Sequence, residues 1–113
     1  MRTSEEILRD ALGHFRAAQI YAAGEPSSQV LVDAICMRLA AGIEALSALE
    51  PALRSRLFGD EWSLMWGMRN RIAHGYMLVD AAIVEATVRD DLPMIIERIE
   101  THMARATGQE SEL

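Results

Sequence analysis

The sequence predicts an all-α fold, a bundle of four long helices with one additional short helix. Three observations point to it: apolar residues recur at three- and four-residue steps, no segment alternates with period two, and caps or breakers separate the periodic stretches. The 113 residues suit one small domain, expected over 1–106 with a flexible polar tail at 107–113. Half the residues are hydrophobic and a quarter are charged, enough to build a core and unlike a disordered chain.

The elements follow in order. Thr3-Ser4-Glu5-Glu6 has the form of a capping box, and Leu8, Leu12, Phe15 and Ala18 continue a helix over about 4–23, ended by Gly24-Glu25-Pro26-Ser27. Leu31, Ile35, Leu39, Gly42, Leu46 and Leu49 mark a second helix near 28–49. Its middle is narrowed by Ala40-Ala41-Gly42, which suits either dense packing within the chain or a contact between copies.

Pro51 can open a short third helix that closes at Phe58-Gly59, with Asp60 a candidate cap for the next. That fourth helix has Leu64, Met65, Met68 and Ile72 as its apolar face and Gly75 as a candidate C-cap. Asp80 can cap the last helix, running through Ile83, Val84, Val88, Leu92, Ile95, Ile96 and Ile99, and Pro93 should kink or divide it.

The N-terminus carries acidic residues where a secretory signal would be apolar, and no run approaches a membrane span of about 20 apolar residues. A cytoplasmic protein without membrane association is expected. Cys36 is the only cysteine and falls in an apolar helical pattern, so a buried small hydrophobe is favoured over a reactive thiol. One cysteine and three scattered histidines give no metal-ligand spacing, and no Gly-rich phosphate loop is present, so neither metal nor cofactor is expected.

The net charge of −6 argues against broad, nonspecific nucleic-acid binding, so any phosphate contact must be local. All 11 basic residues are arginine. The one segment that concentrates suitable groups is Arg69-Asn-Arg-Ile-Ala-His74-Gly-Tyr76. Imidazole can move protons near neutral pH and guanidinium can hold phosphate in a bidentate fork, a combination suited to phosphodiester chemistry.

On a helix turning ~100° per residue, Asn70 and Arg71 are neighbours of His74, whereas Arg69 lies about 140° away. Arg69 reaches the same place only if the helix end unwinds, its side chain bends back, or a second subunit completes the geometry. Plain alternatives stand beside the catalytic one: His74 as a helix-end cap, Tyr76 as a packing residue and Arg71 as a surface ion pair. Trp62 and Trp66, four residues apart, read as core or dimer contacts more than base-stacking platforms. Arg54, Arg56, His14 and His102 read as solvated or structural groups.

The pattern Arg69-x4-His74-x-Tyr76 resembles the HEPN superfamily, most closely its HepT toxin branch. The resemblance extends to Asp33-Ala-Ile-Cys-Met-Arg38-Leu-Ala-Ala-Gly42-Ile-Glu44-Ala, to Trp62 through Asn70, and to Val84-Glu-Ala-Thr-Val-Arg-Asp-Asp-Leu92-Pro93, covering roughly residues 28–100. It implies a HEPN-like bundle that forms a homodimer with two Arg…His motifs across a cleft. It further implies a metal-independent endoribonuclease toxin acting on RNA, with catalytic Arg69 and His74 and supporting Asn70, Arg71 and Glu44. A nucleotidyltransferase antitoxin of the MntA type would adenylylate Tyr76. The alternative is a noncatalytic HEPN module that serves as partner or substrate of such a nucleotidyltransferase.

Overall fold

The computed structural model describes residues 2–24, 28–75 and 79–111, with side chains described as far as Gly108. Helices α1 (Ser4–Ala22), α2 (Gln29–Leu46), α3 (Pro51–Phe58), α4 (Glu61–Gly75), α5 (Ala81–Ala86) and α6 (Leu92–Ser111) make up the fold, with a π-helical turn at Thr87–Asp91 joining the last two. No strand occurs among the described residues. The molecule is an elongated bundle of 50 × 25 × 24 Å. None of the described helices is long and apolar enough to cross a membrane.

The helix ends follow from local chemistry. At α1 the capping box forms: the Glu6 N–H donates to Thr3 Oγ1 at 3.1 Å while the Thr3 N–H donates to Glu6 Oε2 at 3.4 Å. Pro51 occupies the first turn of α3, where its missing N–H costs no hydrogen bond. Gly59, at φ 55°, then ends α3 in a conformation that a side chain would strain. The Asp80 carboxylate accepts from the Ala82 N–H at 2.8 Å and starts α5.

Pro93 divides the last helical run, as its ring and missing N–H require. In regular α-geometry the ring would meet the Arg89 carbonyl. The backbone widens before it, and the Leu92 N–H donates to the Thr87 carbonyl, five residues back. Three boundaries differ from the sequence reading. Helix α2 ends at Leu46 rather than 49, α4 takes in Gly75 as its last residue, and α6 continues to Ser111, past the expected start of a tail at 107.

The core is one cluster. Leu8, Leu12 and Phe15 of α1 meet Ile35, Leu39 and Leu46 of α2, with Val84, Leu92 and Ile99 closing over them. At Gly42 the Phe15 ring lies where a side chain would begin; an added Cβ would stand 2.8 Å from Phe15 Cδ1. Gly42 therefore sets how closely α1 and α2 approach. Dense packing within the chain is the use made of that glycine. Cys36 is buried, and burial together with the nearby Asp33 carboxylate pushes its thiol above the usual range, so it is a small apolar group.

Two expected core positions are solvent-facing. Leu64 is 73% exposed and Ile83 is also exposed. Helix α4 lies on α2 through Met65, Met68 and Ile72, so Leu64 falls about 100° to the side, over an open groove between α4 and α6.

Candidate functional site

The candidate site is carried by the flanks of α4. Met65, Met68 and Ile72 face the core, leaving two stripes on either side. One runs Trp62, Trp66, Arg69, at four- and three-residue steps; the other runs Leu64, Gly67, Arg71, His74. Helical rotation separates them by roughly 150° at their centres.

On the first stripe every polar or aromatic group is engaged. Arg69 Nε lies 3.0 Å from Glu44 Oε2 on α2, and Arg69 Nη1 donates to Asn70 Oδ1 at 3.1 Å. The guanidinium carbon stands 4.8 Å from the centre of the Trp66 ring, over its face. Trp66 in turn stacks on Trp62, with centroids 5.7 Å apart and planes at 29°. Arg54 covers Trp62 at 4.8 Å and donates through Nη1 to the carbonyls of Ser47 and Leu49. A column of two guanidinium groups and two indoles thus links the end of α2 to Arg69.

The Arg69–Glu44 pair is partly solvated, with side chains 30% and 54% exposed. Screening by water makes such a pair worth little to stability, so its main effect is on direction. It turns Arg69 toward α2.

The second stripe is open. His74 is exposed and has no hydrogen-bond or ion-pair partner among the described residues. With Arg71, Gly75, Val79, Asp80 and Ile83 it lines a cleft of about 370 Å³ between the end of α4 and the start of α5. Arg71 is also exposed, its nearest polar contact the Met68 sulfur at 3.6 Å from Nη2. It stands between this cleft and the groove of about 570 Å³ that Leu64, Met68, Leu92 and Met94 line.

Within one chain, then, Arg71 shares a cleft with His74, and Arg69 does not. Helical spacing had favoured that pairing. Glu44, expected to orient Arg69 or Arg71, contacts Arg69. Tyr76 lies outside the described residues.

Sequence reading missed the engagement of Trp66 with Arg69, although their three-residue spacing was a signal. It also read His14 only as a solvated or structural group. Across the α1–α2 contact His14 Nδ1 meets Arg38 Nη1 at 3.1 Å, and on its own helix His14 Nε2 lies 3.5 Å from Asp10 Oδ1. Arg38 reaches Tyr21 as well.

No curated protein and no solved structure gives a significant match to the chain. A family model, described as ribonuclease HepT-like, matches residues 5–102. That match takes in every helix that builds the core and both flanks of α4, and so this chain belongs to the HepT-like family of the HEPN superfamily.

Proposed function

We propose that this protein is an endoribonuclease of the HepT type that works as a homodimer, needs no metal, and cleaves RNA through attack of a 2′-hydroxyl on the adjacent phosphate. The observation that carries the reading is the family match over 5–102, supported by the Arg69-x4-His74 spacing of the sequence and by a His74 open to solvent. The reaction forms a 2′-O–P bond and breaks the P–O5′ bond, leaving a 2′,3′-cyclic phosphate and a 5′-hydroxyl. One proton leaves the 2′-hydroxyl and one arrives at O5′.

His74 serves as general base or acid for one of these transfers, a role worth about 10²–10⁴-fold in rate. Arg69 stabilises the negative charge that grows on the phosphorane oxygens. Asn70 and Glu44 hold Arg69, and Arg71 adds a second cation beside His74. Because Arg69 is turned toward α2 and His74 toward α5, a site that uses both is best completed between two copies, each lending one residue to the other. The same arrangement gathers several arginines on an acidic chain.

Regulation follows the family pattern. A nucleotidyltransferase antitoxin of the MntA type transfers an adenylyl group from ATP to the Tyr76 hydroxyl and releases pyrophosphate, and the added phosphate and nucleoside block the adjacent RNA site. The protein acts in the cytoplasm.

Purified protein should cleave RNA in the presence of EDTA, and His74→Ala should lose both cleavage and growth inhibition. Equal cleavage by the two would sink the ribonuclease reading. With the partner and ATP, Tyr76 should gain about 329 Da, the adenylyl increment of a charge-changing modification.

The separation of Arg69 from His74 within one chain favours a second reading. Here the protein is a noncatalytic HEPN module that binds the nucleotidyltransferase and is its substrate. Modification at Tyr76 by the partner, combined with no His74-dependent cleavage by the unmodified protein, selects it.

A further inference from the structure

The geometry points to Trp66 as a positioning residue that, with Glu44, fixes the direction of the Arg69 guanidinium before RNA arrives; this rests on the ribonuclease reading above. Arginine has a long, flexible stem, and the cost of ordering it is met either when substrate binds or beforehand. Three contacts order Arg69 beforehand. Glu44 Oε2 is ion-paired with Nε at 3.0 Å, Asn70 Oδ1 accepts from Nη1 at 3.1 Å, and the guanidinium carbon lies over the Trp66 ring, 4.8 Å from its centre.

Nη2 has no hydrogen-bond or ion-pair partner among the described residues. The three contacts thus leave Nη2 for phosphate. Glu44 and Asn70 each hold the guanidinium at one nitrogen, Nε and Nη1. The indole adds a cation–π contact to the guanidinium as a whole, which limits how far it can swing on its flexible stem.

Trp66 is itself held. Trp62 stacks on it from the preceding helical turn, while Arg69 reaches it from the following one. Arg54 presses on Trp62 and is tied to two backbone carbonyls after α2. Both neighbours of the Trp66 ring are therefore supplied by the chain. In this role the contribution of Trp66 to the reaction passes through Arg69. Misplacing such a cation by about 1 Å costs on the order of 100-fold in rate.

The test uses the full-length protein with Trp66→Leu, which keeps apolar bulk without a ring face, and Trp66→Phe, which keeps a face. Cleavage of a single-stranded RNA is followed with kcat and KM separated. The side-chain Nε–H resonance of Arg69, assigned by its loss in Arg69→Lys, is recorded in parallel. Trp66→Leu should lower kcat about 10- to 100-fold with little change in KM or in the pH profile, and Trp66→Phe should recover most of the loss. The Arg69 Nε–H should be shifted by the indole in the wild type and move in Trp66→Leu.

Equal kcat in wild type and Trp66→Leu overturns the inference. So does equal loss in the Leu and Phe variants, or an Arg69 resonance that ignores both. If the wild type shows no His74-dependent cleavage, the ribonuclease reading falls on its own, and the resonance alone then decides whether Trp66 holds Arg69.

Discussion

The two flanks of α4 make opposite use of the same chemistry. On the α2 side Arg69 is stacked, ion-paired and hydrogen-bonded; on the α5 side Arg71 and His74 stand exposed in a shallow cleft. One flank is held by its neighbours, and the other stands open. A cation meant to stabilise a transition state gains from being held, whereas a proton-transfer group must stay accessible to its substrate. The difference also bears on the proposed shared site, because Arg69 and His74 diverge by about 140° around the helix.

The largest test of that contrast is the mixing of two inactive variants. His74→Ala and Arg69→Ala should each lower kcat on the order of 10²–10³-fold or more, while a mixture of the two proteins should regain activity. In a site shared between copies, one mixed-dimer site keeps both residues; in a site confined to one copy, neither does. Failure to regain activity, with exchange of subunits demonstrated by mass spectrometry, breaks the shared-site comparison.

Next comes the scaffold under the ordered flank. Gly42→Ala would push Cβ into the Phe15 ring, shift α2 away from α1 and carry Glu44 with it. A stability loss of about 1–3 kcal/mol is expected by chemical denaturation, with kcat falling as Arg69 loses its direction. Wild-type stability would show that α1 and α2 adjust freely, and the ordered flank would lose its foundation.

Smaller effects separate members of the column. Trp62→Leu removes the support of Trp66 but not the face under Arg69, so its loss of kcat should be several-fold smaller than that of Trp66→Leu. A larger effect would mean that the column acts through overall packing. Thr3→Ala, far from either flank, should cost about 1 kcal/mol in thermal unfolding from loss of the capping box and leave kcat unchanged.

Local chemistry made most helix boundaries readable. Thr3 with Glu6, Pro51, Gly59 and Asp80 act within a few residues of themselves, and the structure uses each at its expected place. Pro93 announced a break, and the structure gives that break the form of a π-helical turn at Thr87–Asp91. Leu64 shows where periodicity stops: its spacing matches the apolar face, yet α4 is rotated so that Met65, Met68 and Ile72 contact α2 and Leu64 faces a groove. A one-residue rotation of about 100° decides burial, and only the neighbouring helix sets it.

At the site, the sequence by itself determined the family motif, the residue types able to handle a phosphodiester, and the near neighbours of His74. Those are properties of short spacing on one helix. Only the tertiary structure decided that Glu44, some 25 residues earlier in the chain, meets Arg69, and that Trp62 and Arg54 extend the support behind Trp66. The physical reason is range: a helix fixes angles among its own residues, but which flank is locked and which is left open depends on what other helices bring against it.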